Sequence, residues 1–151
     1  MKIFIYVIAG IFLFVGLICL VLSVSSRKQP DLGTINGLLR PCPNTPNCVC
    51  SEYPLEDAFI KPLSYSIAHD DAWLSLKQVV AKTGGLLILK QDRYLRAQYV
   101  TPILRFIDDV EFRMDEDKHL IHVRSASRVG HSDLGENRRR VERLRKVFEA
   151  L

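Results

Sequence analysis

From Ile3 to Leu22 the chain carries no charged residue: I-F-I-Y-V-I-A-G-I-F-L-F-V-G-L-I-C-L-V-L. A helix rises about 1.5 Å per residue, so this run spans roughly 30 Å, the thickness of a bilayer's hydrocarbon core. A soluble fold has little use for a helix that is apolar on every side. The expectation is a transmembrane anchor over residues 1–26, in a single-pass cell-membrane protein whose soluble part is extracytoplasmic. The rival reading is a cleaved signal peptide. Its apolar stretch is usually shorter, about 7–15 residues, and ends in small residues, which Ser23-Val24-Ser25 imitates only weakly. A lipoprotein signal ending at Cys19 is disfavoured, because Leu17 and Ile18 are bulky where small residues belong. Lys2 stands against Arg27 and Lys28, so the positive-inside bias nearly cancels.

Of the 151 residues, about 110 remain beyond the anchor and tether, enough for one domain with one core. Residues 27–40 are polar, carry Pro30, Gly33 and Gly37, and read as a tether. A single domain is expected over 41–151. Its opening stretch, Leu39–Glu52, packs prolines and cysteines too densely for regular helix or a central strand, so it reads as an irregular loop. Lys61–Ile67 reads as a short edge strand because of Pro62. Asp70 is placed to cap a helix whose Ala72, Trp73, Leu76, Val79 and Val80 share one face, and Gly84-Gly85 stops it.

Strand-like runs follow at Leu86–Lys90, Tyr94–Thr101, Arg105–Met114 and Leu120–Ser127. Phe106, Asp108, Val110, Phe112 and Met114 alternate with Ile107, Asp109, Glu111 and Arg113, a period of two. If the turn Asp115–Lys118 closes with Asp115 opposite Lys118, Phe112 faces Ile121 and Val110 faces Val123. The same register sets Asp109 against Arg124, Glu111 against His122, Asp108 against Ser125, and Phe106 against Ser127. A last helix carries the stripe Leu134, Asn137, Val141, Leu144, Phe148 and Leu151. Asp133 and Glu136 have capping-box spacing, and Glu136–Arg140 and Glu142–Lys146 are i,i+4 pairs. The fold class expected is α+β: after the membrane helix, a small antiparallel sheet of about four to five strands with two helices on one face.

The run R-S-A-S-R-V-G-H-S-D-L-G-E-N-R-R-R-V-E (Arg124–Glu142), with F-I-D-D-V-E-F-R (Phe106–Arg113) and P-C-P-N-T-P-N-C-V (Pro41–Val49), resembles the bacterial domain-of-unknown-function family 1499. The resemblance spans nearly all of the soluble part. It implies a domain without an established activity. The family more often has serine after N-C-V, where this chain has Cys50.

Four clusters bear on function. Cys42, Cys48 and Cys50 are spaced C-x5-C-x-C. A Cys42–Cys48 disulfide suits an oxidising compartment and leaves Cys50 over; free thiols and a redox or metal role are the alternatives, although the C-x2-C spacing usual for zinc is absent. Asp108, Ser125 and Ser127 lie on an apolar strand face and Asn137 on an apolar helix stripe. An unpaired buried polar group costs about 1–3 kcal/mol, so these groups should find each other, the backbone or Arg128. They form either a structural network or a ligand pocket.

The glycine-flanked turn before the last helix, with Asp133, Arg128 and Arg138 nearby, reads as an anion site or as a plain strand-to-helix turn that Asp133 already caps. The basic residues Arg138, Arg139, Arg140, Arg143, Arg145 and Lys146 suit anionic lipid, but most such runs are solvated faces. Nucleic-acid binding has no motif behind it. No G-x-S-x-G elbow is present, and His122 points away from Ser125 in the register above.

The function expected is a non-enzymatic binding or interaction module at a membrane surface, without cofactor or metal, partnered by the membrane and by anionic lipid or a protein. Its candidate ligand-binding residues are Asp108, Arg124, Ser125, Ser127, Arg128, Asp133, Asn137 and Arg138. A hydrolase or transferase using Asp108, Ser125 and Asn137 is the first alternative. A thiol or metal role for the cysteine loop is the second.

Overall fold

The computed structural model describes residues 2–54 and 57–150. Leu151, read as the end of the last helix's stripe, lies outside the described residues. The first element is α1 (Lys2–Ser25), a helix long and apolar enough to cross a membrane. Nearly all of it is exposed, so it does not serve as a core helix of the domain.

The chain beyond α1 is α+β. Its strands are β1 (Thr34–Ile35), β2 (Leu38–Leu39), β3 (Cys48–Cys50), β4 (Leu63–Ser64), β5 (Leu86–Lys90), β6 (Tyr94–Val100), β7 (Ile107–Asp115) and β8 (Leu120–Ser127). Helix α2 (His69–Lys82) precedes β5, and α3 (Glu136–Phe148) follows β8. Strands β3 to β8 form one antiparallel sheet of six strands, one more than the sequence suggests. Strands β5 to β8 are a meander, and both β3 and β4 add to the outer side of β8. The extra strand is β3, inside the stretch read as an irregular loop. Prolines confine its neighbours, but Cys48-Val49-Cys50 has none and pairs with Arg124–Ala126.

The core lies between one sheet face and the two helices. Trp73, Leu76, Val79 and Val80 of α2 and Val141, Leu144 and Phe148 of α3 pack on Leu95, Ala97, Val110, Phe112 and Val123. Phe112 is fully buried at the centre; truncating it to alanine costs about 3–5 kcal/mol. Helix α2 starts two residues earlier than a cap at Asp70 requires. Ala68 is its N-cap, and Asp70 instead accepts a bond from Arg93 Nη1 at 3.0 Å. The glycine stop is as read: α2 ends at Lys82 and Gly84 has φ +87°.

The β7–β8 register is two residues from the expected one. Asp115 pairs with Leu120, Phe112 with Val123, Glu111 with Arg124 and Asp108 with Ser127. The turn holds four residues, Glu116–His119, closed by the His119 amide on the Glu116 carbonyl at 3.1 Å, with His119 at φ 54°. Asp115 accepts the Lys118 amide from within this wider turn instead of pairing with Lys118 across strands. A slip of two leaves every side chain on its expected face, because the strand period is two. Only the partners change: Arg113, not Glu111, faces His122, and Ala126 faces Asp109.

Residues 27–40, read as a tether, are folded against the outer sheet face. Asn36-Gly37, with φ 53° and 79°, makes the tight turn between β1 and β2, for which left-handed residues are suited. Leu39 is fully buried. The Gly33 amide donates to Glu111 Oε1 at 2.7 Å, the Leu39 amide donates to Glu52, and the Tyr53 hydroxyl donates to the Leu39 carbonyl at 2.8 Å.

Candidate functional site

Alternation along β7 and β8 aims Asp108, Ser125 and Ser127 at the helices, and helical spacing aims Asn137 and Arg140 back at them. The five meet. Ser125 Oγ donates to Asn137 Oδ1 at 2.6 Å, and Asn137 Nδ2 donates to Ser127 Oγ at 3.0 Å and to the Asn47 carbonyl at 2.8 Å. Arg140 Nη1 donates to Asn137 Oδ1 at 2.6 Å and to Ser125 Oγ at 3.1 Å, while its Nη2 reaches Asp108 Oδ2 at 2.5 Å. The Arg140 guanidinium also lies 5.0 Å from the Tyr99 ring centroid, a cation–π contact. Burial raises the Tyr99 hydroxyl's pKa above its ordinary value, against the Thr83 hydrogen bond and the Arg140 charge. Asp108, Ser125, Asn137 and Arg140 are all buried.

The basic run suggests a solvated face for Arg140, but the structure buries it. It sits three residues after Asn137 and four before Leu144, on the buried stripe, and a charge there demands a carboxylate. That spacing was the available signal. Asn47 was also missed; nothing in the sequence marks a loop carbonyl as a partner for Asn137. Leu134, counted in the stripe, is exposed because it precedes α3 at φ 55°. The other basic residues of α3 are mostly engaged. Glu136 binds Arg139 and Arg143 in place of Arg140, and Glu142 binds Arg145 in place of Lys146. The guanidinium of Arg143 holds the Glu136 carboxyl below its ordinary pKa, overcoming the effect of burial.

Above Asn137 opens a cleft of about 670 Å³. One wall is the loop closed by the Cys42–Cys48 disulfide, the second is Asp57–Ala58, and the third is Asp133, Asn137 and Arg138 at the start of α3. The disulfide takes the pairing read as natural for an oxidising compartment, with Cα atoms 5.7 Å apart. A loop this short gains about 2 kcal/mol from its cross-link. Further ties hold it: Thr45 Oγ1 donates to Asn47 Oδ1 at 2.7 Å and Asn47 Nδ2 donates to the Gly130 carbonyl. Asp133 caps α3 from two residues before Gly135, accepting the Gly135 amide at 3.0 Å and the Asn137 amide at 2.5 Å. The capping box therefore does not close, since Glu136 turns to arginines. Arg138 donates to the carbonyls of Phe59 and Asp57 at 2.9 and 3.3 Å. With Asp133 already on the helix amides, the turn satisfies itself.

Arg124 and Arg128 do not join this group. They lie on the outer face, where Arg124 Nη1 donates to Glu111 Oε2 at 3.0 Å and Arg128 holds both oxygens of Asp109 at 2.6 and 2.8 Å. Tyr94 Oη donates to Glu111 at 2.6 Å; burial first, then this carboxylate, push the phenol's pKa up. Arg113 Nε donates to Glu52 at 2.8 Å. His122 lies between Glu52 and Asp115, yet burial outweighs both and lowers its pKa. The Cys50 thiol is buried, which pushes its pKa to about 11, far from the thiolate that redox or metal chemistry uses. Among the described residues no group of three histidine, cysteine or acidic side chains is placed to hold a metal ion.

Compared with known proteins, the chain matches, over residues 38–148, a family described as protein of unknown function (DUF1499). No curated protein and no solved structure matches it.

Proposed function

We propose, for a chain that belongs to the DUF1499 family, that it is a binding module anchored in a cell membrane by α1, its domain extracytoplasmic and its ligand taken in the cleft over Asn137. The observation that carries this reading is the contrast between floor and walls. Asn137 is the floor residue, and beneath it Asp108 and Ser125 are buried; Asn137 bonds Ser125, Ser127, Asn47 and Arg140, and Arg140 also binds Ser125 and Asp108. A group so sealed offers no nucleophile or base to a substrate, so the hydrolase or transferase alternative draws no support from it. The walls are open, carry both charge signs in Asp57, Asp133 and Arg138, and are stiffened by a disulfide, which suits recognition of a polar segment with little ordering cost. Disulfide formation favours the extracytoplasmic side, and the raised thiol pKa of Cys50 argues against thiol chemistry.

The experiment is a thermal-shift screen of short peptides and soluble lipid headgroups against the full-length protein in detergent, repeated on Asn44→Trp. Asn44 is exposed on the cleft wall, so tryptophan fills the cleft without entering the core. Ligands that raise the melting temperature of the native protein and lose that effect in Asn44→Trp support the reading. Ligands that stabilise both equally, or that are chemically altered on incubation, contradict it.

A further inference from the structure

The two ends of the sheet differ in what their turns display. At one end, Gln91-Asp92-Arg93 joins β5 to β6 and Glu116-Asp117-Lys118-His119 joins β7 to β8. These turns are polar. At the other end β6 stops, β7 begins, β8 stops and α3 starts. There the β6–β7 turn shows Ile103 and Leu104, 89% and 41% exposed, and the β8–α3 turn shows Leu134, 85% exposed. The first turn is tied at its base by the Thr101 amide on the Phe106 carbonyl and the Phe106 amide on Thr101 Oγ1, both 2.9 Å. Leu134 holds its exposed place at φ 55°, where glycine would be less strained.

This end, whose second turn exposes His131 and Ser132 beside Leu134, is also where α1 joins the domain. Ser26, the first residue past the helix, is buried; its Oγ accepts the Ile107 amide at 3.3 Å and its carbonyl accepts Arg128 Nη1 at 3.1 Å. Arg128 is itself locked to Asp109, so the joint has no slack chain in it. A helix that leaves this joint into a bilayer brings the headgroup layer against the same end. Arg27, Lys28 and Arg105 are exposed beside it, cations that complement lipid phosphates.

We infer that this end of the domain seats in the bilayer surface: Ile103, Leu104 and Leu134 enter the boundary between headgroups and acyl chains, and Arg27, Lys28 and Arg105 face the phosphates. The domain then stands upright on the membrane with its polar turns outermost. The inference rests on the anchored reading above and adds to it a second, peripheral contact with lipid.

The test uses the full chain with Cys19→Ala and Cys50→Ala, the disulfide kept, in vesicles of three parts phosphatidylcholine to one part phosphatidylglycerol. Nitroxides are placed singly through Ile103→Cys, Leu134→Cys, Asp117→Cys and Leu13→Cys, and collisions with oxygen and with an aqueous nickel chelate are measured. The expected result puts the labels at 103 and 134 roughly 5–10 Å into the interface, the label at 117 in water and the label at 13 deep in lipid. Labels at 103 and 134 as open to the chelate as 117, with 13 still deep, overturn the seating and leave the anchor standing. Shielding of 103 and 134 from both collision partners overturns it in favour of a protein contact. A label at 13 that meets water removes the anchored reading and this inference with it.

Discussion

Both faces of the sheet bury charge, and they use it differently. On the helix side Asp108 and Arg140 sit in a closed set with Ser125 and Asn137, contributed by β7, β8 and α3. On the outer side Glu111–Arg124, Asp109–Arg128 and Glu52–Arg113 lie against residues 26–40, and their partners include backbone groups of that segment: Gly33, Leu39, Ser26 and Arg27. The inner network thus fixes how the last helix docks and where the cleft floor lies. The outer network fixes how the segment leaving α1 is laid on the domain. A buried ion pair is weak evidence for net stability, since desolvation offsets most of its attraction, but it is strong evidence for a specified geometry once half of it is removed.

The largest effect is expected from breaking the inner pair. Asp108→Ala strands the Arg140 guanidinium and should lower the unfolding free energy by about 3–5 kcal/mol, read by urea denaturation. Asp108→Leu with Arg140→Met should recover much of that loss. If the double replacement is as damaging as the sum of the singles, the pair does not act as a unit.

Glu111→Gln should cost about 2 kcal/mol, because a charged acceptor for Gly33, Tyr94 and Arg124 is weakened. The distinguishing readout is hydrogen exchange: amides of residues 27–40 should exchange faster while those of α3 keep their protection. Equal loosening of both would merge the two networks into one.

The smallest effect is that of pH on the outer face. Burial makes folded His122 harder to protonate than the unfolded residue, whose pKa is near 6.5. As pH falls through that value the unfolded chain takes up the proton first, so stability drops with acidification and stops dropping once folded His122 is also charged. His122→Gln should flatten the melting temperature between neutral pH and the onset of carboxylate titration. A steeper slope in that variant would place the acid sensitivity elsewhere.

What the sequence disclosed follows from the range of the forces involved. Helix α2, its glycine stop and the meander strands are local patterns, and their periods could be read directly. The meeting of Asp108, Ser125, Ser127 and Asn137 was readable from face assignment alone, which survived the two-residue slip of register. The slip goes with a wider turn in which His119 takes a left-handed conformation, which histidine adopts more readily than most residues but which no sequence pattern there demands. Arg140 was hidden among neighbours of the same charge, though its place in the stripe gave it away. Alternation along β8 already sets Arg124 on the face opposite Ser125, and the structure places Arg124 and Arg128 there, on Glu111 and Asp109. The segment 27–40 reads as a tether because its composition is polar; its partners, Glu52 and Glu111, lie far along the chain. Asn36-Gly37 was its one local signal.

The most direct test of the account is the fate of α1. Membranes from cells making the protein, washed with alkaline carbonate, should retain it in the pellet with α1 still attached, as peptide mapping of residues 2–25 would show. Recovery in the supernatant of a shortened polypeptide starting near Ser26 would contradict it.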